Sequence, residues 1–128
     1  MDNLVSIITP TYNSAEYVSE TIKSIQAQTH GFWELLITDD CSTDQTIDII
    51  KLFQKEDKRI KLFLLDKNQG TGVARNNSIK EANGRYIAFC DSDDLWKQDK
   101  LAKQIKFMKE KQVFFTYCSY DIINEKGE

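Results

Sequence analysis

Arg85-Tyr86-Ile87-Ala88-Phe89-Cys90-Asp91-Ser92-Asp93-Asp94-Leu95-Trp96 decides how the chain is read. Tyr86 to Cys90 is an apolar run of strand length, and it reads as a buried strand. Three carboxylates follow within four residues. Acids at the exit of a buried strand repel one another and lose hydration, which is costly unless a cation or a donor-rich ligand compensates. In extended backbone, residues i and i+2 face the same way, so Asp91 and Asp93 reach one point together. Their oxygens suit a hard divalent ion, Mg²⁺ or Mn²⁺. The plainer reading of the same run is a cap for the next helix, because Asp is favoured at helix starts.

Upstream of this run the pattern alternates between strand and helix. Leu4 to Thr9 is a β-branched apolar strand ended by Pro10, the one proline in the chain. Asn13 and Glu16 have capping-box spacing, and a helix follows to Gln28 with Tyr17, Val18, Thr21, Ile22 and Ile25 on one face. Phe32 to Thr38 is the second strand, running into Asp39-Asp40. Ser42 and Gln45 suggest a second capping box, opening a helix that buries Ile47, Ile50 and Phe53. Arg59 to Leu65 is the third strand, followed by the glycine loop Asp66 to Gly72 and a helix over Val73 to Ala82 that stops at Asn83-Gly84. After the fourth strand, Gln98 to Lys111 is a helix with Leu101, Ile105 and Met108 inward, and Val113 to Cys118 is a fifth strand. Strands alternating with helices predict an α/β fold with a mostly parallel sheet and helices on both faces. Ligands in such sheets bind beyond the carboxyl ends of the strands. Thr11-Tyr12-Asn13, Asp39-Asp40, the glycine loop and the acidic run all fall at those ends.

Composition narrows the function classes. The 128 residues suffice for one domain with a core, and the net charge of −3 argues against a general nucleic-acid binder. Cys41, Cys90 and Cys118 are an odd number without C-x-x-C spacing, which points to reduced cytosolic thiols rather than a disulfide frame or zinc site. No basic leader precedes an apolar stretch at the start, and no run approaches the ~18 apolar residues of a membrane span.

A phosphorylated ligand at an edge rich in Asp requires a metal, so a cation on Asp93, with Asp91, would bridge to phosphate oxygens. Asp40 can accept from a base N–H or from ribose hydroxyls. Tyr12 can stack on a base; its plain reading is an exposed aromatic at a helix start. Gly70-Thr71-Gly72 lets backbone approach a phosphate or sugar, but it lacks a dinucleotide fingerprint. Arg75 is the one arginine near these clusters and can contact a diphosphate, or can simply be an exposed helix residue.

The ordered blocks V-S-I-I-T-P-T-Y-N, E-L-L-I-T-D-D-C-S-T-D, N-Q-G-T-G-V-A-R-N and G-R-Y-I-A-F-C-D-S-D-D resemble the family 2 glycosyltransferases of GT-A fold. The resemblance covers Val5 to about Lys111, and it implies a single donor-binding domain over residues 1–128. Carried over residue by residue, it implies that Pro10 and Tyr12 contact the base, Asp40 reads it, Asp91 lies near the ribose and Asp93 holds Mn²⁺ or Mg²⁺. Arg75 carries over only as a neighbour of the site. The implied activity is metal-dependent, inverting transfer of a sugar from a nucleotide donor, most often UDP-linked, to a saccharide or lipid-linked acceptor. The implied general base lies beyond Glu128, so the chain alone is expected to bind a donor rather than transfer it. The resemblance also implies a cytoplasmic protein, peripheral at the cytosolic membrane face, and the sheet edge left open favours self-association. Two other readings compete. One is a nucleotide-sugar or metal-binding module without catalysis. The other is a signalling receiver domain, which wants a lysine after the fifth strand where Cys118-Ser119-Tyr120 stands.

Overall fold

A computed structural model describes residues 3–113 and 116. Four parallel strands, β1 (Val5–Thr11), β2 (Trp33–Asp39), β3 (Ile60–Leu64) and β4 (Tyr86–Phe89), pair in the order β3-β2-β1-β4. Four helices accompany them: α1 (Val18–Gln26), α2 (Thr46–Glu56), α3 (Thr71–Lys80) and α4 (Lys100–Lys111). Every residue of β1 and β2 is buried, which is why both read as near-continuous apolar runs. On one face Val5, Ile7, Leu35 and Ile37 meet Val18, Ile22 and Ile25 of α1, Ile50 of α2, and Leu101 and Ile105 of α4. On the other face α3 approaches closely through small residues. Its Ala74 is buried, and the Ser78 hydroxyl donates to the Leu36 carbonyl at 3.1 Å. The α/β architecture with helices on both faces is therefore the one the sequence pattern predicts.

Several local expectations are corrected. β1 does not stop before Pro10 but runs through it to Thr11. The Cys90 N–H donates to the Ile8 carbonyl, so Ile8 points its backbone groups toward β4, and by alternation Pro10 does too. β4 ends at Phe89, opposite Ile8, so the ladder asks for no N–H where proline lacks one. Neither capping box forms. Asn13 takes φ 47°, and its Oδ1 accepts the Thr43 and Asp44 N–H groups at 2.8 and 3.3 Å, while α1 begins only at Val18. Ser42 donates its hydroxyl to Asp39 at 2.6 Å, and Asp44 instead accepts the Thr46 N–H at 2.9 Å. Asn13 thus caps the facing turn, while the β2–α2 turn is closed by its own Asp39 and Asp44. α3 starts earlier than expected, at Thr71, behind Gly70 at φ 97°. β4 is buried on one face only: Tyr86 and Ala88 pack against the core, while Ile87 and Phe89 are 47% and 56% exposed on the face where α3 covers β1 and β2. The fifth strand expected over residues 113–118 lies, apart from Val113 and Thr116, outside the described residues.

Two features tie the sheet to its loops. A Cβ on Gly84 would lie 2.7 Å from the Leu4 carbonyl oxygen, the Ser6 nitrogen and the Ser6 hydroxyl. Two of those contacts are backbone and cannot swing away. Gly84→Ala is therefore expected to lower the unfolding free energy by about 1–3 kcal/mol, read as a lower urea midpoint. At the start of β3, the Arg59 side chain donates to Asp57 through Nε (3.0 Å) and NH2 (2.8 Å), donates to the Gly31 carbonyl (2.9 Å), and lies 3.7 Å from the Trp33 ring centre. The Arg59 hydrogen bonds outweigh burial and hold the Asp57 carboxyl at about 2 against an ordinary 3.8. A folded pKa below the unfolded one gives stability that is complete above about 4 and lost as pH falls toward 2. Asp57→Asn is expected to flatten this part of the acid-unfolding curve; an unchanged slope between those two values would contradict the assignment.

Candidate functional site

The carboxyl ends of β1, β2 and β4 and the amino end of α3 surround one cleft of about 540 Å³. Pro10, Tyr12, Asp40, Arg75, Asp91 and Asp93 all line it. These residues span more than eighty positions of sequence, and the parallel order of the strands brings them to one edge.

The wall formed by the β1–α1 and β2–α2 turns is laced by hydrogen bonds. The Asp40 N–H donates to the Thr11 carbonyl (2.9 Å), the Thr11 hydroxyl to Asp39 (2.7 Å), the Asn13 N–H to the Ser42 hydroxyl (2.8 Å), and the Ser14 N–H to Thr46 (2.8 Å). Asp39 is consumed by this lacing and orients the turn, since the Ser42 N–H also donates to it at 2.8 Å. Tyr12 stands 52% exposed on the same wall, with its ring free to meet a planar ligand. Asp40 is buried at the floor. Its Oδ1 accepts the Gln69 N–H at 2.7 Å and its Oδ2 the Gly70 N–H at 2.9 Å, so it anchors the glycine loop. Each carboxylate oxygen has two acceptor positions, so these two amides do not exhaust the capacity of Asp40.

The acidic turn closes the opposite end. The Thr21 hydroxyl donates to the Ser92 carbonyl at 2.9 Å, and the Ser92 and Ser14 hydroxyls pair at 2.7 Å. Arg75, on the first turns of α3, donates NH2 to Asp91 Oδ1 at 2.8 Å. Asp94 lies behind the lining; partial burial, then the charges of Asp91 and Asp93, push its carboxyl above the ordinary range. The turn is thus overcharged with acid. Trp96 packs against the core beneath it, as expected.

Among the described residues no three or more His, Cys, Asp or Glu side chains converge as a closed metal cage. Asp91 and Asp93 are not on extended backbone as expected but in a turn closed by the Asp94 N–H, which donates to the Asp91 carbonyl at 3.1 Å. Both line the cleft, and their oxygens suit Mg²⁺ or Mn²⁺, which is commonly bound through one or two carboxylates with phosphate oxygens and water completing the shell. Ser14, Ala74 and Ser92 also line the cleft, and sequence reasoning gave none of them a role. Thr71 lines it as part of the expected glycine loop, and Tyr17, expected on the inward face of α1, lines it instead, 44% exposed. Ser92, the middle residue of the D-S-D run, carried the one available signal.

The model of Glycosyl transferase family 2 matches residues 6–128. The chain is 46% identical over 126 residues to the UDP-Glc:α-D-GlcNAc-diphosphoundecaprenol β-1,3-glucosyltransferase WfgD of Escherichia coli, covering 98% of this chain and 49% of that protein. Among solved structures it is similar to S. aureus TarS in complex with UDP-GlcNAc, with TM-score 0.78 and 36% identity over 83% of this chain and 31% of that one. It is also similar to the mannosyltransferase PcManGT from Pyrobaculum calidifontis in complex with GDP-Man and Mn²⁺, with TM-score 0.76 and 26% identity over 84% of this chain and 32% of that one. The chain spans about half, or less, of the length of the curated relatives it matches.

Proposed function

The chain belongs to glycosyl transferase family 2 and has the GT-A fold, and from that premise we propose that its cleft binds the nucleotide of a sugar donor, most often UDP-linked, for a metal-dependent, inverting sugar transfer. One observation carries the reading: a single cleft is lined by an exposed aromatic, a buried carboxylate acceptor, two further acids and, among the described residues, one cation. Those are the groups that a base and a diphosphate with its counter-ion would need.

In this reading Tyr12 stacks on the base above Pro10, and Asp40 accepts a base N–H with the lone pairs its loop amides leave free. Asp91 lies near the ribose. Arg75 donates to diphosphate oxygens. A Mn²⁺ or Mg²⁺ on Asp93 and Asp91 would supply Lewis-acid charge to the departing nucleoside diphosphate. UDP-GlcNAc in TarS and GDP-Man with Mn²⁺ in PcManGT support the donor and metal classes. The diphosphoundecaprenol in the name of WfgD supports a lipid-linked saccharide acceptor, and so a working place at the cytosolic membrane face. No helix among the described residues is long and apolar enough to cross a membrane. A carboxylate general base takes the acceptor proton in such a transfer. Self-association through the edge of β4, unpaired among the described residues, belongs to the same proposal.

The test is calorimetric titration of UDP into the folded chain with Mn²⁺ and then with EDTA, with GDP and dTDP in parallel. Binding that favours one base and weakens about tenfold without metal, roughly 1.4 kcal/mol, is expected. Absence of binding, or affinity indifferent to base and metal alike, would overturn it.

A further inference from the structure

Among the described residues lining the cleft, Asp40, Asp91 and Asp93 are acidic and Arg75 is the one cation. Asp40 is already held by the Gln69 and Gly70 amides. Arg75 is not spare either, because its NH2 is bound to Asp91 Oδ1 at 2.8 Å. A diphosphate entering the cleft needs that guanidinium. A divalent ion approaching Asp91 finds one oxygen engaged and a positive charge beside it. Each ligand removes the obstacle to the other: phosphate oxygens draw Arg75 off Asp91, and a metal on Asp91 replaces the charge that Arg75 supplied. The pair joins two separate elements, α3 and the turn after β4, and its side chains are 38% and 52% exposed. It can therefore part without unpacking either element, and its removal leaves the fold intact.

We propose that the Arg75–Asp91 ion pair masks the acidic turn from free divalent cations, so that metal binds together with the diphosphate rather than ahead of it. This rests on reading the cleft as a nucleoside-diphosphate site, and it adds to that reading a discrimination: bare cations are turned away and the metal–diphosphate pair is accepted.

The test measures Mn²⁺ binding to the nucleotide-free chain, through loss of the free-ion electron paramagnetic resonance signal. Arg75→Met and Arg75→Gln are expected to tighten Mn²⁺ about tenfold, the removal of one nearby charge at a half-exposed site. Arg75→Lys, which keeps the charge, is expected to stay within about threefold of the parent. UDP raises the Mn²⁺ affinity of the parent by a larger factor than that of Arg75→Met, since coupling between two ligands is reciprocal. Thermal melts confirm that each variant is folded. Unchanged Mn²⁺ affinity in both neutral variants overturns the proposal. A parent chain that binds no UDP instead refutes the nucleotide reading and the diphosphate half of the coupling, while the metal-only comparison still decides whether Arg75 masks Asp91.

Discussion

Asp93→Ala is expected to weaken UDP binding in Mn²⁺ by about 100-fold, or about 2.7 kcal/mol, and to leave UDP binding in EDTA unchanged. Asp93 lines the cleft and is exposed, so its truncation takes little packing with it. What it removes is one of the two cleft-lining carboxylates that suit a hard cation, and the metal then has only Asp91. Even partners one step removed from a metal change its affinity by about 10–100-fold, so loss of a direct ligand belongs at or above the top of that range. Parallel titrations of parent and variant in the two conditions isolate the effect. Equal loss in Mn²⁺ and EDTA would mean that Asp93 contacts the nucleotide itself or supports the turn. No loss in either would remove it from the site.

Glu34→Ala is expected to lower the unfolding free energy by about 3 kcal/mol, without touching the cleft. Glu34 is 6% exposed in the middle of the sheet, on the face that carries α3. Its Oε1 accepts the Ser6 hydroxyl (2.7 Å) and the Asn83 N–H (2.7 Å), and its Oε2 accepts Lys61 Nζ (3.1 Å). Ser6 in turn accepts the Gly84 N–H at 2.8 Å, so one carboxylate fastens β1, β2, β3 and the α3–β4 turn. Truncation leaves a buried hydroxyl and a half-buried amide without their acceptor. Lys61 is half exposed and rehydrates, which keeps the loss below that of a fully buried ion pair. Burial alone would raise the Glu34 carboxyl, but the Asn83 amide, the Ser6 hydroxyl and Lys61 outweigh it and hold it below its ordinary 4.5. A lowered folded pKa contributes stability that is complete above the unfolded value and fades as pH falls through the folded one. Urea unfolding of Glu34→Ala should thus show its deficit in full near neutral pH and a shrinking deficit below 4.5. A constant deficit across that range would mean packing, not charge, sets the effect. Glu34→Gln keeps the shape and one acceptor and should lose less, about 1–2 kcal/mol.

Glu34 also marks where sequence reading stops. In E-L-L-I-T-D-D it looks like one polar position in an apolar strand, and nothing local predicts that it is buried. Its burial is tolerable only because Ser6, Lys61 and Asn83 arrive from elsewhere in the chain. The two false capping boxes fail for the same reason. Asn13 and Ser42 have the right residue type and spacing, but the turns after β1 and β2 lie side by side and exchange hydrogen bonds, and the Ser42 hydroxyl donates to Asp39 of its own turn. Pro10 reads as a strand stop until the shortness of β4 shows that no partner awaits its missing N–H. Tyr86 to Phe89 reads as buried because its apolar residues are consecutive, yet only Tyr86 and Ala88 pack against the core, while Ile87 and Phe89 stay exposed.

The sequence by itself determined the α/β class, the parallel sheet, the order of elements and the gathering of Pro10, Tyr12, Asp40, Arg75, Asp91 and Asp93 at one edge, because periodicity sets the elements and right-handed crossovers send every strand exit the same way. Only the tertiary structure decided what the groups at that edge hold before any ligand arrives: Asp40 on the glycine-loop amides, Asp39 on Thr11, Ser14 on Ser92, and Arg75 on Asp91. Hydrogen bonds and ion pairs act over a few ångströms, and which groups come that close is fixed by packing between segments far apart in the chain, not by spacing along it.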